Sequence, residues 1–246
     1  MNQWDEQASE HLAVLVERLR SAGVADLLRD EMRSMWQANM QRYEPSELGD
    51  TARAFGFLAA ENISKRIQKK CEDPASEWSV RGVKVSTPDN SLLIQTCGVD
   101  LHIMKAQGHD SRTPDFDAGF DWSSDSATRL ASAKRNSARY IPVGEQTTLF
   151  GYRSSRLNPV KCVDLFLVWS GEIPTGLTAG WFGLPSAGTR SWMAVEKLWW
   201  DEPHDGPLHG LRRNPTPTGP DGFEDRATPT PQIGLKPPAR EGRTSE

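Results

Sequence analysis

Apolar residues recur at three- and four-residue spacing through the first seventy positions of the chain, then switch to a two-residue period. Leu12, Leu15, Val16 and Leu19 form one helical stripe over 5–20, and Gly23 offers a break after its last turn. Leu27, Leu28, Met32, Met35, Trp36 and Met40 continue the pattern over 24–43, a stripe read as core packing rather than as a partner groove. A loop rich in Pro45, Ser46 and Gly49 follows, and Asp50 is placed to cap a third helix that runs to about Lys70. Phe55, Leu58, Ala59, Ile63 and Ile67 supply its apolar stripe.

Between Trp78 and Ala106 the period becomes two. Val83 and Val85 alternate with Lys84 and Ser86, Pro88-Asp89-Asn90 carries turn chemistry, and Cys97-Gly98 separates two further apolar runs, 91–96 and 99–106. A two-residue link makes those runs antiparallel neighbours, so the segment predicts a three-strand meander. The stretch 107–124 is rich in Gly, Asp, Ser and Pro and reads as a long loop; its aspartates lack the spacing of a calcium-binding loop. A helix is expected over 125–140 with Ser124 or Asp125 as cap, followed by strands at 160–169 and 177–184. The run 192–200 fits a strand or a short helix equally well.

The predicted fold class is α+β: N-terminal helices over 1–49, a mixed sheet centred on the meander and packed by helices, and one domain over 1–202. From residue 203 onward nine of the 17 prolines fall in 44 residues, a composition that buries too little apolar surface to order itself, so 203–246 is expected to be a disordered tail.

Composition narrows the function classes. The 246-residue chain has 37% hydrophobic content, enough for one sizeable core. A net charge of -4 gives no global attraction for nucleic acid, so any such contact needs a local basic patch. Cys71, Cys97 and Cys162 show no zinc-type spacing and read as reduced thiols. No signal-peptide or membrane-spanning run is evident, and a cytoplasmic protein without membrane association is expected.

No nucleophile elbow, phosphate-binding glycine loop or zinc-protease motif occurs, and the five histidines are scattered. His102 reads as a hydrogen-bonded strand residue. Glu61 and Lys65 are spaced for a surface ion pair, while Lys65, Arg66, Lys69 and Lys70 complement the carbonyls at the end of their helix. Arg129, Lys134, Arg135 and Arg139 give the 125–140 helix a basic surface, the candidate nucleic-acid contact. Trp169, Trp181, Trp192, Trp199 and Trp200 concentrate indoles near the end of the folded region. Packing explains them, with a protein-binding surface as the alternative.

The order helix, three-strand meander, helix, strand, together with Pro88-Asp89 and Ile103-Met104-Lys105, resembles the PD-(D/E)xK nuclease superfamily over roughly 50–169. The resemblance implies Asp89 and Glu61 as carboxylates that hold Mg2+, and Lys105 as the lysine that positions the attacking water. Ile103 stands where the family has its acid, and alternation points Asp100 to the opposite strand face from Lys105. The resemblance therefore implies a degenerate core, not a competent nuclease, with no cofactor or with Mg2+ only if cleavage survives. It also implies a nucleic-acid-associated role in a phage, mobile-element or defence setting. The competing expectation is a non-enzymatic interaction or regulatory module that holds a protein partner through the Trp-rich region.

Overall fold

The computed structural model describes residues 4–106, 111–117, 120, 126–141 and 158–203. The chain divides into Met1–Pro203 and His204–Glu246, and every described residue belongs to the first unit. The expected tail, Pro203 apart, and the expected caps Ser124 and Asp125 lie outside the described residues.

Helices α1 (Glu6–Ser21), α2 (Val24–Met40) and α3 (Ala52–Glu72) follow the three apolar stripes. Asp5 caps α1, its carboxylate accepting from the Ala8 amide at 2.9 Å. The cap of α3 is Thr51, whose hydroxyl accepts from the Ala54 amide at 3.1 Å; Asp50, the expected cap, instead turns back to the Glu44 amide at 2.8 Å. The strand expected from Trp78 starts later. Ser76 caps a single turn, α4 (Glu77–Val80), and that turn buries Trp78 before the chain extends into β1 (Lys84–Ser86).

A 3-10 turn at Pro88–Asn90 leads to β2 (Leu93–Thr96), then β3 (Val99–Lys105). Cys97 and Gly98 both have positive φ, 51° and 74°, which matches the twist of a two-residue hairpin. Helix α5 (Ala127–Arg139) then connects to β4 (Asp164–Gly171), β5 (Thr178–Pro185) and β6 (Trp192–Trp200). Residues 159–161 form a 3-10 turn, so β4 begins later than the sequence pattern suggested, and 192–200 is a strand. The result is a six-stranded mixed sheet in sequential order, and the protein is α+β. β3 and β4 pair in parallel and every other neighbouring pair is antiparallel.

Alternation gives the sheet two faces. Leu101, Ile103, Leu165, Leu167, Trp169, Phe182 and Leu184 join residues of α1, α2 and α3 in the larger core. Met104, Phe166, Val168 and Trp192 form a smaller core with Ala133 of α5 and with Phe120. Glycine makes room for indoles on both faces. A Cβ at Gly171 would sit 2.4 Å from the Trp36 ring, at Gly180 2.0 Å from Trp199, and at Gly183 2.4 Å from Trp192. Among the described residues no helix is long and apolar enough to cross a membrane.

Candidate functional site

The face of the meander beneath α1–α3 is a row of carbon. Leu92, Ile94, Leu101 and Ile103 are all buried there, and Lys105 ends the row at the last position of β3. Its lateral neighbour across the parallel pair is Trp169, and the Lys105 Nζ lies 5.7 Å from that ring and 5.6 Å from the ring of Trp36 on α2. Nζ also donates to the Ala106 carbonyl at 3.4 Å. Burial lowers the ammonium pKa to about 8, while the two ring faces favour the cation.

The residues expected to join Lys105 lie on other surfaces. Asp89, with a φ of 49°, is exposed, and its carboxylate accepts from the Thr128 hydroxyl of α5 at 2.8 Å, on the opposite side of the sheet. Glu61 points outward from α3 and sits 3.8 Å from Lys65, with the carboxylate side chain 53% exposed. The expected surface ion pair is therefore present, and the three expected catalytic residues are not brought together. Nor do Asp89 and Glu61 converge as magnesium ligands, because one faces α5 and the other faces water beyond α3. Ile103, the preceding side chain on the same face of β3, is alkyl and offers no oxygen to a hard cation. Among the described residues no three His, Cys, Asp or Glu side chains are grouped to hold a metal.

The basic surface of α5 is largely committed to the protein itself. Arg135 and Arg139 both pair with Asp164, which opens β4 at 1% exposure; the Arg135 Nε lies 3.1 and 3.3 Å from its two oxygens and the Arg139 Nη1 at 3.3 Å. Arg129 donates to the Ile103 carbonyl at 3.3 Å; Lys134 and Arg135 are the exposed cations of the four, Arg135 while paired with Asp164. On α3, Arg66 and Lys70 reach back to Glu31 of α2, a carboxylate only 2% exposed, so these two act as partners of a buried acid as well as end-of-helix cations.

Sequence reasoning passed over Asp164 and Glu31. The available signal was an acid at the edge of an apolar stretch, with arginines four residues apart on a neighbouring helix.

Beneath α5 lies a buried polar chain. Ser132 donates to the Thr128 carbonyl at 3.2 Å and accepts from Arg135 at 2.9 Å, which leaves its second lone pair for His102 Nε2 at 3.0 Å. His102 thus carries its proton on Nε2 and presents Nδ1 to the Ser91 hydroxyl at 3.5 Å. Its pKa falls to about 4, first because burial disfavours the cation and then because Arg129 is near. It is a neutral structural donor.

The tryptophan-rich end is packed as well. Trp199 is 6% exposed and donates to the Thr178 hydroxyl at 3.0 Å. The Arg112 guanidinium lies 4.1 Å over the Trp200 ring, and Asp201 ties Thr178 and Arg33 together beside it. The three cysteines are free, and burial raises the thiols of Cys71 and Cys162 to about 11 and about 12, where they are poor nucleophiles. No protein family, curated protein or solved structure matches the chain.

Proposed function

We propose that the chain is a cytoplasmic, nucleic-acid-associated protein whose nuclease-like core binds without cutting. The observation that carries this is the order α3, antiparallel β1–β2–β3, α5, β4, with β3 parallel to β4 and Lys105 on the third strand. Two residues before that lysine, Ile103 stands where the resembling superfamily has its acid. An alkyl side chain at that position cannot ligate a divalent cation, which favours the non-cleaving reading. The exposed Lys134 and the outer part of Arg135 remain available for phosphate contacts, and so short a patch supports weak, salt-sensitive binding. Three free cysteines suit a reducing compartment.

The test combines binding and cleavage. Fluorescence anisotropy with short single- and double-stranded DNA and RNA should give binding at low salt that weakens as salt rises and weakens further in Lys134→Glu. Incubation with Mg2+ or Mn2+ should leave the same strands intact. Absence of binding at low salt would overturn the nucleic-acid association. Metal-dependent cutting that disappears in Lys105→Ala would overturn the non-cleaving reading.

A further inference from the structure

The inner side of α3 packs on the core through Phe55, Ala59, Ile63 and Ile67. Its outer side presents Ala54, Phe57, Leu58, Glu61 and Lys65, spaced three and four apart and all exposed. Phe57 is 77% and Leu58 47% exposed, adjacent apolar side chains left in water in the middle of an otherwise charged helix face. Exposed apolar surface rimmed by charge is the signature of an association surface.

The charges around this pair have a definite symmetry. On the helix itself Arg53 comes one turn before it and Glu61 one turn after it, exposed groups of opposite sign at matched distances. Reversing the helix direction exchanges base for acid. A two-fold axis through the Phe57–Leu58 turn would set Arg53 beside the partner subunit's Glu61, and Glu61 beside the partner subunit's Arg53. The apolar pairs would then bury against each other. A parallel arrangement would instead stack like charge on like charge. The present Glu61–Lys65 contact, at 3.8 Å between two exposed groups, is weak enough to be exchanged for the intersubunit pairs.

We propose that α3 is a self-association surface: two copies of the chain pair antiparallel through Phe57 and Leu58 in an isologous dimer. This goes beyond the nucleic-acid reading and does not depend on it. Two helix faces bury less than the roughly 1,200 Å² typical of stable complexes, so the dimer should form as concentration rises rather than persist at high dilution.

Sedimentation velocity of the full chain, from micromolar to hundreds of micromolar, tests the proposal. The expected result is a monomer–dimer equilibrium weakened about tenfold or more by Phe57→Glu, a change at an exposed site whose circular dichroism should match the wild type. Arg53→Glu should weaken the dimer, and Arg53→Glu combined with Glu61→Arg should restore it, because the swap re-creates opposite charges across the axis. A monomer at every concentration would overturn the proposal and leave the face to a different partner. So would a dimer indifferent to Phe57→Glu, or a charge swap that fails to rescue.

Discussion

The face of the sheet under α1–α3 is filled almost wholly by carbon, whereas the face under α5 mixes a small aromatic core with His102, Ser132, Asn136 and Asp164, all buried. On the first face stability comes from area and fit: Trp36 is fully buried, wedged against Gly171 and in edge contact with Phe55 at 4.7 Å and Trp169 at 5.9 Å. On the second, buried polar groups carry part of it: the Asn136 amide nitrogen donates to the carbonyls of Asp164 at 2.8 Å and Pro185 at 3.3 Å, while its Oδ1 is buried without a partner. Carbon tolerates a change of pH and resents a change of volume. A buried polar chain does the reverse, because each member left without its partner carries its full desolvation cost.

The largest effect expected from this contrast is on the carbon face. Trp36→Ala removes a fully buried indole that packs against Gly171, Phe55 and Trp169 and lies 5.6 Å from the Lys105 Nζ. The cost should be about 3–5 kcal/mol in urea or guanidinium unfolding, as for other large-to-small core changes. A loss below about 1 kcal/mol would mean that this face is not where the fold keeps its stability.

The second prediction concerns the polar face and its response to acid. The folded pKa of His102, about 4, lies below its ordinary 6.5, so the unfolded chain takes up the proton first as pH falls. The stability that this neutral imidazole represents is fully present above pH 6.5 and is lost progressively toward pH 4. Over that window the wild type should lose about 2–3 kcal/mol more than His102→Gln, which keeps a donor for Ser132 but cannot titrate. Parallel curves for the two proteins would show that protonation of His102 is not coupled to unfolding.

The same contrast explains what the sequence could reveal. Periodicity located α1, α2, α3 and the β2–β3 hairpin, because each presents one face to carbon and the spacing of carbon is a local property. It failed at Trp78, whose apolar side chain suits a strand or a turn equally, and where the Ser76 cap decided for a helix. The candidate residues were harder for a physical reason. Lys105 was recognisable, but its surroundings are contributed by Trp36 and Trp169, more than sixty residues away on either side. Asp164 and Glu31 looked like ordinary solvated acids, and only the approach of α5 and α3 makes them buried counter-ions for two cations each.

The smallest predicted effect belongs to Lys105, the one charged side chain on the meander's carbon row, where two large terms oppose each other. Burial alone would lower its pKa from the ordinary 10.5 to about 8, a penalty on the ammonium at neutral pH of at most about 3 kcal/mol. Against this, contact with the faces of Trp36 and Trp169 favours the cation by about 2 kcal/mol in a desolvated setting. Lys105→Met keeps the packed stem, removes the charge and loses both terms together. The substitution should therefore stabilise the protein by no more than about 1 kcal/mol at pH 7. The pH dependence sharpens this. Wild-type stability should rise as pH increases from 8 to 10.5 and the amine becomes neutral in the unfolded chain as well, whereas the Met variant lacks that rise, so any advantage it holds shrinks. Destabilisation by about 2 kcal/mol or more in Lys105→Met would show that the ring contacts outweigh the burial cost. The tryptophan slot would then be a built cation site within the carbon face, and the division between the two faces would fail at that residue.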